Sequence, residues 1–202
     1  MNQLCDPALI PVTEWPEFLD DAEAAALLDF AIAHEKDFKP ARTHKGEDPD
    51  TRKSLVTLDL GPFKEILKDR VKAALPELAA RLKIRGVTGD KFEIELAAHG
   101  EGAFFRNHID TQTEFSEWKD MRSARAISAA YYLNRTPAHF SGGALRLLRL
   151  TKPSEYYEVE PRHNLLVAFP SFVRHEVRKV HCPSRLFADS RFAANIWVHH
   201  PK

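Results

Sequence analysis

The apolar and polar positions of this chain change their period near residue 90. Before that point, Asp20 and Glu23 form a capping-box pair ahead of the run AAALLDFAIAH, in which the apolar residues recur at helical spacing. A second run at this spacing follows Pro62, which suits the first turn of a helix. Pro76 is expected to kink or restart that helix. The pattern therefore predicts two main helices in residues 1–90.

After residue 90, apolar and polar residues alternate with a period of two, which is typical of half-buried strands. Turn-forming sequences separate the runs, as in a sandwich or a barrel. Helices first and strands second predict an α+β fold, and a jelly roll with N-terminal helices packed outside fits this order best. The predicted strands cover residues 92–96, 126–133, 144–150, 156–160, 164–169, 175–180 and 192–198.

Length and composition set the outer limits of this prediction. The 202 residues suit a single domain, 1–202, in which 1–90 form a mainly helical support and 91–202 the jelly-roll core. Basic and acidic residues balance at 29 each, so neither nucleic acid nor an anionic membrane is expected as the main partner. Two distant cysteines, without a signal-peptide pattern or a long apolar run, predict a cytoplasmic protein that does not cross a membrane.

The segment FFRNHID at 104–110 carries the strongest candidate chemistry. His108 and Asp110 are two residues apart, and on a strand such residues point to the same face, where both can reach one ion. We take His175, in a later predicted strand, as the third ligand, with His163 or His181 next in line. Two histidines and one carboxylate leave three positions of an ion open, which is the arrangement of non-haem Fe(II) oxygenases.

Other interpretations of the same residues remain open at this point. A His-x-Asp triplet is also typical of a surface pair, or of a core histidine that is hydrogen-bonded to a carboxylate. The same three ligands would also suit a zinc hydrolase with a bound water. A cupin-like metal-binding, ligand-binding or sensor protein would keep the fold without catalysis.

Five segments, in order, resemble the prolyl 4-hydroxylase-type family of Fe(II)- and 2-oxoglutarate-dependent oxygenases. In the first, Phe105 and Gly102 stand three and six residues before His108, as in the family, while His99 replaces the usual tyrosine. The other segments that carry the resemblance are RAISAAYYLN at 125–134, the double glycine at 142–143, HEV at 175–177 and RFAANIWV at 191–198.

The resemblance implies a double-stranded β-helix fold, with Fe(II), the co-substrate 2-oxoglutarate and O₂. It also implies that Arg191 binds the C5 carboxylate of 2-oxoglutarate, because a buried carboxylate needs a fixed fork of donors. Arg185 is the competing candidate. Tyr132 matches a family tyrosine that binds the same carboxylate. His99 is a further candidate for contact with the co-substrate.

The expected activity is that of a 2-oxoglutarate-dependent non-haem iron dioxygenase, an oxidoreductase that hydroxylates an unactivated C–H bond and releases succinate and CO₂. The expected substrate is an amino acid, a peptide or a small metabolite. Arg125 falls on a family position near the cavity mouth, where we expect it to bind substrate. The polar segments 40–53 and 111–124 are predicted to be lids that set specificity.

Overall fold

The computed structural model describes residues 3–4, 10–42, 46–111 and 125–201 of the chain. Within these ranges, two sheets of mainly antiparallel strands face each other, and two α-helices cover the outer side of the larger sheet. The predicted α+β fold, a double-stranded β-helix with helices packed outside, is confirmed.

The first helix, α1, spans Asp21–Ala33 and begins where the capping pattern predicts. The carboxylate of Asp20 accepts a hydrogen bond of 2.8 Å from the backbone N–H of Glu23, which satisfies one of the free donors of the first turn. A short 3-10 helix, Glu35–Asp37, follows it, and a second one spans Phe187–Asp189.

The second helix, α2, spans Phe63–Leu82 and begins directly after Pro62. Of the predicted kink or restart at Pro76, the restart is wrong, because α2 runs through this residue as one element, while the kink stays a prediction. A proline inside a helix costs about 3 kcal/mol. Leu75, Leu78 and Leu82 are buried on either side of it, and each buried leucine contributes about 1.5–3 kcal/mol. Burial of the apolar face therefore outweighs the lost backbone hydrogen bond.

Between residues 91 and 200 the strands match the predicted runs closely, except that the run 175–180 is wrong as one strand and forms two short strands in different sheets. Further short strands lie before residue 90. In chain order the strands are β1 (Gln3–Leu4), β2 (Thr13–Pro16), β3 (Lys39–Pro40), β4 (Arg52–Lys53), β5 (Leu55–Thr57), β6 (Phe92–His99), β7 (Phe104–His108), β8 (Arg125–Leu133), β9 (Ser141–Gly142), β10 (Leu145–Leu148), β11 (Glu155–Val159), β12 (Leu165–Pro170), β13 (His175–Val177), β14 (Val180–His181) and β15 (Arg191–His199).

The larger sheet has the strand order β2-β12-β8-β15-β6-β5-β3, and the smaller sheet has the order β1-β11-β10-β13-β7-β4. Strands β9 and β14 form a separate pair. All the strands before residue 90 lie at or next to sheet edges. Residues 1–90 therefore contribute edge strands to both sheets, in addition to the helical support that the pattern predicts. These strands are two to four residues long and too short to show an alternating pattern of their own.

The central strands of the larger sheet have two different faces. In β8, Tyr131 packs into the core beneath the helices, whereas Tyr132 points into the core between the sheets. In β15, Phe192 faces the helices and Ala193 faces the smaller sheet. Alternate residues of these strands therefore reach the space between the sheets, where a cavity lies.

Candidate metal centre and co-substrate pocket

Two facing strands of the smaller sheet bring the candidate ligands together. His108 ends β7, His175 begins β13, and the two residues are direct partners across this ladder. Asp110 lies beyond the end of β7, so the prediction that it shares a strand face with His108 is wrong in detail. Its backbone N–H donates to the carbonyl of Ser171, 3.0 Å away, because the chain leaves the ladder there and turns along the end of β12.

The side chains of His108, Asp110 and His175 offer ligand atoms that all lie within 4.8 Å of one another. Nε2 of His108 is 3.5 Å from Oδ1 of Asp110, and Nε2 of His175 is 3.5 Å from Oδ2. Nδ1 of each histidine is 2.8–2.9 Å from a backbone carbonyl, that of Arg106 or that of Val173. Each Nδ1 therefore carries the proton, and the lone pair of each Nε2 is left for a metal ion.

Two donors hold the carboxylate of Asp110 in place. The Ser128 hydroxyl and the Trp197 indole N–H donate to Oδ2 over 2.7 and 2.8 Å. Ser128 is itself 2.9 Å from the hydroxyl of Ser171. Sequence analysis missed this support. Trp197 and Asn195 lie on the same face of β15 as Arg191. Their even spacing from Arg191 along the strand is the sequence signal that could have placed them in the site.

The protonation states of these groups suit metal binding at neutral pH. Burial lowers the pKa of His175 to about 4, with a further contribution from His108. Burial acts to raise the pKa of Asp110, but neighbouring His175 and His108 and the hydrogen bond from Ser128 outweigh it and hold that pKa well below its usual range. A neutral imidazole and an ionised carboxylate are the forms that bind a divalent cation.

Arg191 lies deeper in the same cavity, at the start of β15. Its side chain is among the largest that are fully buried, and it forms no ion pair with any described acidic residue. Its Nε and the hydroxyl of Tyr132 are buried without a hydrogen-bond partner among the described residues. Since an unpaired buried guanidinium is costly, this pocket fits an anion with a planar pair of oxygens, such as a carboxylate.

The surroundings of Arg191 keep it free for such an anion. Its Cζ lies 4.7 Å from the centre of the Tyr132 ring, and its Nη1 is 3.4 Å from Nδ1 of His99, its partner across the β15–β6 ladder. Burial lowers the pKa of His99 well below its usual range, and the charges of Arg191 and Arg52 lower it further. Because arginine only donates, His99 is neutral and accepts this bond through Nδ1.

Gly143 makes room for the stem of Arg191. A Cβ atom at this position would lie 2.8 Å from Cδ of Arg191 and 2.8 Å from Cγ2 of Val180, and its φ is +72°. Both the contact and the backbone conformation require glycine. The double glycine at 142–143 that carries part of the resemblance thus borders the anion pocket.

A polar cluster that sequence analysis also missed lines the cavity on another side. Arg52 of β4 and Glu95 of β6 form an ion pair with 2.5 Å between Nη2 and Oε1. Asn195 donates from Nδ2 to the same oxygen of Glu95 over 3.1 Å. Arg52 belongs to the predicted lid at 40–53, of which residues 43–45 lie outside the described ranges.

The other candidate residues lie elsewhere. Arg185 is exposed, in the turn between β14 and the second 3-10 helix, whereas Arg191 is buried. His163 is half-buried beside Asn134, and His181 is exposed beside Glu101. Neither histidine belongs to the cluster of ligand atoms in the described part of the chain.

Arg125, predicted to bind substrate, pairs with Glu93 and stacks on Trp197, with its Cζ 3.9 Å from the ring centre. It is not among the residues that line the cavity. Its role stays a prediction. The lid predicted at 111–124 lies, apart from residue 111, outside the described residues. No helix in the described ranges is long and apolar enough to span a membrane.

Comparison with known proteins gives a consistent match. Residues 94–199 match the model of the 2OG-Fe(II) oxygenase superfamily. An uncharacterized PKHD-type hydroxylase from Synechocystis is 30% identical over 208 residues, which cover 98% of this chain and 67% of that protein.

Among solved structures, a Pseudomonas putida prolyl-4-hydroxylase aligns with a TM-score of 0.67 and 24% identity over 97% of this chain and 96% of its own. A Trichoplax adhaerens prolyl hydroxylase was solved with a peptide fragment of the hypoxia inducible factor oxygen degradation domain. It aligns with a TM-score of 0.69 and 17% identity over 96% of this chain and 86% of its own. At these identities the structures bear on the fold alone.

Proposed function

The chain belongs to the 2OG-Fe(II) oxygenase superfamily, and from that premise we propose that it hydroxylates an unactivated C–H bond of an amino acid, a peptide or a small metabolite. Family membership makes it a 2-oxoglutarate-dependent non-haem iron dioxygenase. The observation that carries the proposal is the buried, unpaired Arg191 in the same cavity as the cluster of His108, Asp110 and His175.

In the proposed site, Nε2 of His108, Nε2 of His175 and the carboxylate of Asp110 hold Fe(II). The metal, when bound with 2-oxoglutarate and O₂, supplies the oxidising chemistry, and succinate and CO₂ are the co-products. The backbone carbonyls that accept from the two Nδ1 atoms fix the orientation of both rings. Ser128 and Trp197 bind Oδ2 of Asp110 and so direct its other oxygen to the metal.

Arg191 and Tyr132 bind the C5 carboxylate of 2-oxoglutarate in this proposal. The carboxylate provides acceptors for Nε of Arg191 and for the Tyr132 hydroxyl, the two buried groups that lack partners in the described residues. Neutral His99 orients the guanidinium through Nη1. Since the residues around this pocket are buried, the bound carboxylate is shielded from water and its interaction with arginine is strengthened.

The same pocket argues against the two rival interpretations of the metal cluster. Zinc hydrolysis needs the three ligands and a water, and it has no need of a buried arginine. A protein that only binds metal would gain no stability from an unpaired guanidinium in its core. A peptide or an amino-acid substrate draws support from the names of the relatives, which are hydroxylases and prolyl hydroxylases.

The proposal is tested by titrating 2-oxoglutarate into the Fe(II)-loaded protein without oxygen, and by measuring succinate release with oxygen. Arg191→Ala should weaken 2-oxoglutarate binding by about 2–5 kcal/mol, the usual cost of removing one partner of a buried charge pair. Arg185→Ala, at the exposed arginine, should leave affinity unchanged. Loss of affinity in Arg185→Ala, with normal affinity in Arg191→Ala, would contradict the assignment.

A further inference from the structure

A buried carboxylate lies just before β15, and the proposed metal and co-substrate sites do not use it. The side chain of Asp189 is only 3% exposed, and it is not among the residues that line the cavity. Its Oδ2 accepts a hydrogen bond of 2.8 Å from the hydroxyl of Ser184, and its Oδ1 accepts one of 2.9 Å from Nη1 of Arg135. We name Arg135, Ser184 and Asp189 the clamp.

The carboxylate at the centre of the clamp is ionised at neutral pH. The hydrogen bond from Ser184 holds the pKa of Asp189 below its usual range, against the opposite effect of burial, and His139 and Arg135 lower it further. Nδ1 of His139 lies 3.6 Å from Oδ1. Burying an ionised carboxylate is costly unless donors surround it, so the clamp stays closed only while its donors remain in place.

The clamp joins the two strands that carry the proposed pocket for the C5 carboxylate. Arg135 follows the end of β8 and stands three residues after Tyr132. Asp189 stands two residues before Arg191, the first residue of β15. One ion pair therefore connects the chain segments that carry the phenol and the guanidinium of the pocket.

The ladder of the larger sheet holds Arg191 on one side only. Towards β6, Arg191 is paired with His99. Towards β8, the last pair of the ladder is Leu133 with Phe192, so Arg191 lies one residue beyond its end. Strand ends without ladder hydrogen bonds open locally at a small cost in free energy. The clamp connects β8 and β15 just outside that last pair, where the ladder no longer does so.

A second border of the pocket lies close to the clamp as well. His139, beside the carboxylate of Asp189, is followed two residues later by β9, which pairs with β14. Directly after β9 comes Gly143, whose missing side chain leaves room for Cδ of Arg191. A movement at the clamp therefore reaches the pocket along β9 as well as along β8 and β15.

We propose that the clamp positions the co-substrate arginine: the ion pair of Asp189 and Arg135 holds the guanidinium of Arg191 beside Tyr132 and so sets the affinity for the C5 carboxylate. This inference rests on the proposed function, because it concerns the proposed 2-oxoglutarate pocket. The clamp residues lie outside that pocket and act through the backbone of β8 and β15, so they are positioning residues. Charge-assisted hydrogen bonds are short, and a small displacement of either strand weakens them.

A clamp that only anchored the turn before β15 would behave differently. The carbonyl of Asp189 accepts from the thiol of Cys182 over 3.5 Å, and the backbone N–H of Leu186 donates to Ser184 over 3.3 Å, so the turn has further contacts of its own. A mere anchor would change the free energy of unfolding and leave ligand selectivity alone. Positioning of Arg191 predicts a change in selectivity for the C5 carboxylate.

The test compares 2-oxoglutarate with 2-oxobutanoate, which has the same keto acid end and lacks the C5 carboxylate. Both are titrated calorimetrically into the Fe(II)-loaded protein without oxygen, and the ratio of their dissociation constants is the selectivity. Asp189→Asn keeps the volume and removes the charge. It should weaken 2-oxoglutarate binding about 10-fold, the lower end of the range for one hydrogen bond to a charged group, and leave 2-oxobutanoate binding unchanged.

A milder variant and a matched control complete the test. Arg135→Gln removes the same ion pair at a side chain that is 44% exposed, and it should lower the selectivity in the same direction. It decides the question if Asp189→Asn does not fold. The control Arg149→Gln removes a comparable ion pair with Glu155 outside the cavity, and it should keep the selectivity of the wild type. Thermal melting of each variant shows whether it is folded.

Two results would overturn the inference: wild-type selectivity in the folded clamp variants, or equal losses of affinity for both ligands, which general damage to the metal centre would produce. A wild-type protein that binds no Fe(II), or that does not prefer 2-oxoglutarate to 2-oxobutanoate, would instead contradict the proposed function, and the inference would fall with it. A lowered selectivity in Asp189→Asn and Arg135→Gln, with an unchanged control, supports the positioning role.

Discussion

At the scale of single residues, the neighbours Tyr131 and Tyr132 point to opposite faces of β8, one into the core beneath the helices and the other towards the proposed co-substrate pocket. The Tyr131 hydroxyl donates to Oδ1 of Asn164 over 2.9 Å in the core beneath the helices. The Tyr132 hydroxyl is equally buried, but it has no partner among the described residues and lies beside Arg191. One hydroxyl therefore stabilises the fold, while the other is available to a ligand.

This contrast predicts opposite effects for the same substitution at the two positions. Tyr132→Phe should weaken 2-oxoglutarate binding by about 1.5–3 kcal/mol, because it removes a hydrogen bond to a charged group, and should not lower the free energy of unfolding of the ligand-free protein. Tyr131→Phe should lower that free energy by about 1 kcal/mol and leave affinity unchanged. Calorimetric titration and urea unfolding measure the two quantities. Equal effects of both variants on affinity would refute the assignment.

Trp197 supplies a second prediction at this scale. Its indole N–H holds Oδ2 of Asp110, and removal of such a support usually weakens metal binding 10- to 100-fold. Trp197→Phe should therefore lower Fe(II) affinity by about that factor in an anaerobic titration. Trp15→Phe is the control, because Trp15 packs edge-on against Phe18, away from the cavity. If both variants kept full affinity, Trp197 would have no part in holding the ligand.

The candidate residues that sequence analysis found are those with a local signal. His108 and Asp110 are two residues apart, and Arg191 stands six residues before a tryptophan within one strand. Arg52 and Glu95 are 43 residues apart and meet only because the two sheets face each other. No spacing in the sequence encodes that meeting, so this ion pair could not be predicted.

At the scale of elements, the long strands were predictable and the edge strands were not. Strands β6, β8 and β15 are eight or nine residues long, and most of their residues are buried, on one face beneath the helices and on the other between the sheets. Strand β4 has two residues and takes its geometry from β7, with which it pairs. Its position depends on tertiary contacts, which are not visible in a local pattern.

Helix α2 offers a test of why the predicted restart at Pro76 was wrong. If burial of the neighbouring leucines maintains the helix against the proline, Pro76→Ala should raise the free energy of unfolding. Alanine regains about 3 kcal/mol of helix propensity, but it also raises the conformational entropy of the unfolded chain, which costs about 1 kcal/mol of stability. The expected increase in the free energy of unfolding is therefore about 2 kcal/mol. The control Asp69→Ala, exposed on the same helix, should change it by less than about 0.5 kcal/mol. Urea unfolding that shows no gain in Pro76→Ala would contradict this explanation.

At the scale of the whole molecule, the change of pattern near residue 90 does not divide the contacts. Asn164, between β11 and β12, accepts from the backbone N–H of Leu19 over 3.0 Å and donates to its carbonyl over 2.9 Å. Strand β2 extends the larger sheet beside β12. Arg52, from before the change, completes the cavity. These contacts support the single-domain prediction, which no finding tests directly.

In the proposed site, His108, Asp110 and His175 hold one Fe(II) in the cavity that also binds 2-oxoglutarate. The decisive measurement is an anaerobic Fe(II) titration of the wild type and of His175→Ala, with His163→Ala and His181→Ala as controls. We expect one Fe(II) per chain in the wild type and in both controls, and no specific Fe(II) binding in a folded His175→Ala protein. Unchanged Fe(II) binding in His175→Ala, with a loss in either control, would contradict it.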